Sequence, residues 1–359
     1  MDSSIIITFA IPLFFGLILI EFFYGVITKQ NNYRINDAIT SMSLGLISRF
    51  VPILGLGFQY VVYKAVAEHY NLKLLSGEEI WVWVTAFILY DICYYWMHRI
   101  HHEIKVFWAT HVVHHHGEEF NLSTALRQTS TGFLWKWVFF LPLFIIGIPP
   151  HMYVTVAGLN LVYQFWVHTE HIGRLGFLEY IFVTPSNHRV HHAQNEDYLD
   201  ANYGGVFILW DRIFGTFIDE RSDLKPVYGT VKPLKSFNPF WANIEVFYQM
   251  IFDSYHTVKW SDKIRVWFSP PNWRPEDVST KYPIQKNDLS SFEKYDPQIG
   301  LREKIFAGTQ FTVINIMTLI MLFNVQNYVY NEILAVILLV VFAAVTCLLY
   351  TSPSPRDGL

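Results

Sequence analysis

The residues of this chain most suited to chemistry crowd into one stretch, His98 to His192, which holds every histidine of the sequence except His69 and His256. The stretch opens HRIHHEIKVFWATHVVHHH, passes HTEH and closes PSNHRVHH. As spacings these are His98-x-x-x-His102, His111-x-x-His114-His115, His168-x-x-His171 and His188-x-x-His191-His192. Residues three and four apart share a helix face, so each cluster is expected to aim two or three imidazoles in one direction. Imidazole binds zinc, copper, iron and nickel, and roughly four donors saturate a tetrahedral zinc. About ten donors are too many for one ion, which points to a two-metal centre. His69, His151 and His256 stand alone and read as ordinary polar side chains. His101 and His116 each sit beside a better-placed neighbour and are open to ligation, to a supporting role or to solvent.

The elements that must position these rings are apolar. Of 359 residues 52% are hydrophobic, 18% aromatic and only 16% charged. Soluble domains carry roughly a quarter charged residues, so the deficit argues for a polytopic membrane protein. A net charge of -4 gives no reason to expect nucleic acid as a partner. Cys93 and Cys347 lie far apart in apolar runs, without the paired spacing of a zinc, iron-sulfur or haem site.

Along the chain, Ile5 to Ile27 is long enough to anchor in a bilayer, and Lys29 and Arg34 behind it place that end in the cytoplasm. A second run, Ile39 to Ala67, contains Pro52 and glycines and is kinked or broken. A third, Ile80 to Met97, returns to the cytoplasm and delivers His98. Asp91 inside it is expected to support the site by accepting the free N–H of a ligating histidine, with a helix-to-helix hydrogen bond as the alternative. Two short apolar runs around Pro149-Pro150 predict a membrane hairpin over 132–167 that brings His168 and His171 back to the face of the first clusters. Residues 221–304 read as a cytoplasmic cap segment, 305–350 as a C-terminal transmembrane hairpin and 351–359 as a polar tail, either a disordered terminus or a non-native sequence of foreign or truncated origin. With 1–97 as N-terminal transmembrane helices and 98–220 as the catalytic region, the expectation is an all-α membrane protein: a multi-pass helical bundle with a cytoplasmic histidine-rich di-metal cap.

A transporter would hold its ligands near the bilayer midplane on broken helices. Here they follow the spans, which favours catalysis on a lipid entering from the membrane. A nearly neutral ligand set leaves the metals strongly positive and suits dioxygen activation, better with iron than with redox-silent zinc. Glu103, Glu118, Glu119, Glu170, Asp197 and Asp200 flank the clusters, with Glu170 the preferred supporting acceptor. No Ser-His-Asp order, phosphate loop or dinucleotide glycine pattern competes.

DICYYWMHRIHHE, HVVHHH, HTEH and NHRVHH resemble the histidine boxes of the fatty acid hydroxylase and sterol desaturase superfamily, integral membrane di-iron enzymes. EEFNLSTALRQ, QFWVHTE, TPSNHRVHH and NYGGVFILWDRIFGTF are similar to its ether-lipid-cleaving, tetrahydrobiopterin-dependent branch, and the likeness continues through VYGTVKPLKSFNPF. His171 and Asn187 depart from that branch, the first standing where an apolar residue is expected and the second where a histidine is. The resemblance implies two iron ions, a reduced pterin as electron source, and hydroxylation next to an ether oxygen to give a fatty aldehyde and a glycerol derivative. It implies catalytic roles for His98, His102, His111, His114, His115, His188, His191 and His192, and makes Glu103 a candidate for the pterin region. It also implies an active site facing the cytoplasm, in the endoplasmic reticulum membrane of a eukaryote or the inner membrane of a bacterium. The alternatives are a sterol or fatty acyl hydroxylase or desaturase with a separate electron donor, and a non-catalytic metal-handling membrane protein.

Overall fold

The computed structural model describes residues 3–349 apart from 55–57, 299 and 325–326. The expected polar tail therefore lies outside the described residues. Fifteen α-helices make up the described fold, joined by short 3-10 turns and two isolated β-bridges. The first four are α1 (Ser3–Thr28), α2 (Ile35–Ile53), α3 (Gln59–His69) and α4 (Ile80–Glu103). Short α5 (Lys105–Trp108) and α6 (Val112–His115) follow, then α7 (Leu141–Ile146) and α8 (Pro150–Trp166). The second half holds α9 (Pro185–His191), α10 (Leu209–Phe214), α11 (Pro239–His256), α12 (Trp260–Phe268) and α13 (Glu276–Lys281). Last come α14 (Leu301–Phe323) and α15 (Tyr330–Leu349), which pack on each other.

The second apolar run is broken, α2 ending at Ile53 before α3 starts at Gln59. The hairpin around Pro149-Pro150 has a local cause. Gly147 ends α7 with φ +116°, a left-handed conformation that favours glycine, and Pro150 opens α8 where its missing N–H costs nothing. Residues 132–140 ahead of α7 form 3-10 turns, so this arm is not one helix. Among the described residues two helices are long and apolar enough to cross a membrane, Ile80–Glu103 and Leu301–Met321, with shorter apolar stretches at Pro12–Thr28, Lys136–Ile146 and Tyr330–Phe342. Large apolar side chains stand exposed on α1 and α4, among them Ile20, Phe23, Ile80 and Trp81, as on a surface that meets lipid or a partner.

Helix α4 is the axis of the site. It has no glycine or proline in 24 residues, so it runs unbroken from Ile80 to the histidines at its end. Val82, Ala86, Tyr90 and Met97 on its inner side pack with Phe140, Phe144 and Met152 from the α7–α8 arm and Tyr63 from α3.

Asp91 lies on the same helix, and here the structure corrects the sequence reading, because Asp91 touches no histidine. Its carboxylate accepts the backbone N–H groups of Val206 (2.8 Å) and Phe207 (3.0 Å), Trp210 Nε1 (2.9 Å) and Asn160 Nδ2 (2.7 Å). It ties the loop before α10 to α4 and α8. Asp211 completes the loop by accepting from Tyr203 N (2.7 Å) and Gly204 N (2.8 Å). A Cβ at Gly205 would lie 2.7 Å from Asp91 Oδ1 and 2.9 Å from the Tyr94 ring. Gly205→Ala is therefore expected to push this loop off α4, costing about 1–3 kcal/mol. A lower thermal midpoint together with reduced bound metal in the purified variant checks it.

Candidate metal centre

Nine buried histidines converge in two groups. His98, His102, His111, His115 and His191 form the first, and His114, His168, His188 and His192 the second, with the ligand atoms of each group within 4.8 Å of one another. The groups adjoin, since the His115 ring of the first stacks on the His192 ring of the second with centroids 4.4 Å apart.

The spacing rule worked differently from the expectation that a whole cluster points one way. Pairs four apart serve the same pocket: His98 with His102, His111 with His115, and His188 with His192. The residue three along from the first member crosses to the other pocket, so His114 joins the second group and His191 the first. One short helix therefore feeds both pockets, α6 from one side and α9 from the other. Helix α9 is set by a capping box in which Thr184 and Asn187 exchange side-chain and backbone hydrogen bonds, with Pro185 in the first turn. That is the use found for Asn187, the position where a histidine was expected.

Backbone carbonyls fix the rings. His98 Nδ1 donates to Tyr203 O (2.9 Å), His114 Nδ1 to Arg127 O (3.0 Å), His168 Nδ1 to Gln164 O (2.8 Å) and His191 Nδ1 to Ala201 O (2.9 Å). A carbonyl only accepts, so each of these rings carries its hydrogen on Nδ1 and a lone pair on Nε2. His114 Nε2 and His168 Nε2 then face each other at 3.2 Å as two lone pairs that cannot hydrogen-bond. Similar separations recur between Nε2 atoms of His98 and His111 (2.9 Å), His115 and His111 (3.1 Å), and His188 and His168 (3.0 Å). Ligands about 2.1 Å from one ion lie about 3.0 Å apart at right angles and about 3.4 Å apart in a tetrahedron. His102 Nε2 and His191 Nε2 are buried without a partner, as donors awaiting a cation are. The residues present fit a pair of metal ions.

His171 is outside both groups, its ring edge against Tyr24 of α1. The chain leaves the helix at Val167, so the three-residue spacing no longer puts His168 and His171 on one face. His101 and His116 are buried, which removes the solvent-facing option, and neither joins a group; His101 gives Nδ1 to Met97 O (2.6 Å). His151 is exposed beside Glu78, and His256 bonds its own helix at Phe252 O. Glu170 accepts the Tyr228 hydroxyl (3.2 Å) and Glu103 pairs at the surface with Arg99 (2.8 Å). Glu118 and Glu119 pair with Arg34, and Asp197 with Arg221.

Three residues that bear on the site were missed. Arg127, fully buried, lends its carbonyl to His114 while its guanidinium bonds Val113 O, Asp37 and Ser41 (3.1 Å each). Glu21 of α1 accepts from Thr169 and from Leu122 N, tying the HTEH turn to the segment after α6. Tyr203 packs its ring against His102 (5.3 Å), and its buried hydroxyl has no partner. The uncharged environment of an arginine inside LSTALRQ and a tyrosine beside a glycine pair was the available signal.

A cavity of about 480 Å³ opens on both pockets. His111 of the first group and His114 and His168 of the second line it, with Phe14, Met97 and Phe165 among its apolar walls.

Burial, with neighbouring imidazoles, holds His114, His115, His188 and His192 well below the ordinary value of 6.5. Burial, helped by the neighbouring His191, pushes His168 down to about 3, and burial pushes His191 to about 4, against hydrogen bonds that favour the charged form. At neutral pH these rings keep their lone pairs. The folded values lie below the unfolded ones, so the unfolded chain takes up more protons once the pH falls under about 6.5, and stability declines from there downward. Thermal midpoint and bound metal are expected to fall together between about pH 7 and pH 5, as read by melting and elemental analysis on the same samples.

Residues 83–216 match the model of the fatty acid hydroxylase family. An alkylglycerol monooxygenase of Xenopus tropicalis is 38% identical over 79% of this chain and 64% of its own length. Its namesake in Homo sapiens is 40% identical over 74% and 59%, and that of Caenorhabditis elegans 33% over 71% and 52%. The chain thus spans about three-fifths of the length of the curated relatives it matches. No solved structure matches it. All nine converging histidines lie inside the segment that matches the fatty acid hydroxylase model, and through most of its length the chain is similar to the alkylglycerol monooxygenases.

Proposed function

We propose that the protein is a membrane monooxygenase that cleaves the ether bond of alkylglycerols, using two iron ions, dioxygen and tetrahydrobiopterin. The observation that carries this reading is the meeting of two all-histidine pockets on one apolar cavity. His98, His102, His111, His115 and His191 would hold one ion and His114, His168, His188 and His192 the other. Bound there, the iron pair supplies dioxygen activation.

The chain's own residues do the positioning. The apolar cavity receives the alkyl chain and keeps bulk water from the reacting carbon. The carbonyls of Tyr203, Arg127, Gln164 and Ala201 hold the imidazoles in the tautomer that offers Nε2, so no ring has to reorganise when a ligand binds. Hydroxylation of the carbon beside the ether oxygen turns that carbon into a hemiacetal, which separates into a fatty aldehyde and a glycerol derivative. Glu103, surface-exposed at the end of α4, remains the candidate for the pterin side.

The exposed apolar faces and long apolar helices support a multi-pass arrangement with α1, α4, the α7–α8 hairpin and the α14–α15 pair in lipid and the histidine region at the cytoplasmic rim. Residues 221–304 would form the cap, packed through Met250 and Val266 on Val106 and Ala109.

Purified protein supplied with iron, tetrahydrobiopterin and an alkylglycerol is expected to release aldehyde. Turnover that needs no pterin would point instead to hydroxylation or desaturation with a protein electron donor, and metal flux into proteoliposomes without turnover to a metal-handling protein. His114→Ala, which leaves His168 without its facing donor, should abolish at least about 99% of the rate and lower the metal content, because losing one ligand opens the pocket. Full activity in that variant would remove the second pocket from the reaction.

A further inference from the structure

Among the described residues two cations line the cavity, Arg49 and Lys136. Arg34, Arg127, Arg189 and Arg274 are all paired with carboxylates. Arg49, near the end of α2, and Lys136, in the turns before α7, have no ion pair or hydrogen bond among the described residues. Both line the main cavity, and both also line a second chamber of about 250 Å³ beside it. Gln59 and Gln128 border both spaces, while Ser130 lines the second and holds a buried hydroxyl without a partner. Among the described residues no aspartate or glutamate lines either space.

Keeping two like charges together without a counter-ion in a largely apolar cavity is unfavourable, and such residues normally face what they bind. A guanidinium offers a planar fork and an ammonium a point charge, which together suit the oxygens of a phosphate. Lys136 lines the main cavity together with His111 and His114. An anion held here therefore shares one cavity with histidines of both pockets and with its aromatic and aliphatic lining.

We infer that Arg49 and Lys136 form an anion subsite that receives the phosphate of a glycerolipid whose alkyl chain occupies the main cavity. Gln59, Gln128 and Ser130 complete it with neutral donors. The inference rests on the lipid-monooxygenase reading for the identity of the chain in the cavity. The short glycerol backbone between phosphate and ether oxygen would then set which carbon lies against the histidine pockets.

The test is equilibrium binding to the purified full chain in neutral-detergent micelles, comparing an alkylglycerol with the same alkylglycerol carrying a terminal phosphate. The phosphate-bearing lipid is expected to bind about tenfold or more tightly. Arg49→Gln and Lys136→Gln should each remove most of that preference while neutral-lipid affinity stays within about twofold, and Arg49→Lys should keep part of it. Unchanged metal content and melting in the variants mark them as folded. Equal affinity for the two lipids in the unmodified protein, or parallel loss of both in the variants, overturns the proposal. Inorganic phosphate alone should compete only at far higher concentration; potency equal to that of the lipid would make this a free-phosphate site and overturn the headgroup assignment. Because binding is read and not turnover, failure to release aldehyde would sink ether cleavage while leaving a measured headgroup preference intact.

Discussion

An imidazole that has given its one hydrogen to a carbonyl has only a lone pair left on its other nitrogen, and two such lone pairs buried face to face repel unless a cation lies between them. His114 and His168 are in that position, each locked by a carbonyl and facing the other at 3.2 Å. Protonating one ring would relieve the repulsion, but burial has moved His168 too far down for that at neutral pH. The rest of the structure can be understood as what is needed to hold this arrangement against its own repulsion.

The holding is done mostly by backbone. The loop carrying Tyr203 is tied to α4 by Asp91 and closed by Asp211, so the carboxylates act on the peptide that positions His98 and not on the histidine itself. Arg127 does the same for His114 through its own carbonyl, with Asp37 balancing its buried charge. Keeping carboxylates one step away leaves the two pockets with neutral donors. The charge of bound metal would then be undiminished by the protein, which favours a site that binds small oxidants over one that only stores a cation.

The cavity holds both polar and apolar side chains. His111, His114 and His168 line it together with Arg49 and Lys136, and aromatic and aliphatic side chains make up most of the remainder. A soluble metal-storage site has no use for such a chamber, whereas a molecule with one long chain and one polar end would be oriented by it.

The sequence by itself determined which residues could act as donors. Histidines repeated at three- and four-residue spacing in one stretch, within an apolar chain, pointed to metal binding and a helical architecture. It could not determine how the donors divide, because periodicity says which side chains share a helix face but not which of two neighbouring pockets that face meets. His114 and His191 crossed over for that reason. His171 stayed out because its helix had already ended, and Asp91 turned out to grip a loop more than 100 residues away in sequence, as its bond to Val206 at a separation of 115 records. Local spacing is fixed by bond geometry and can be read from the chain; the facing of lone pairs and the matching of charges depend on which distant segments pack together, and only the tertiary structure decides that.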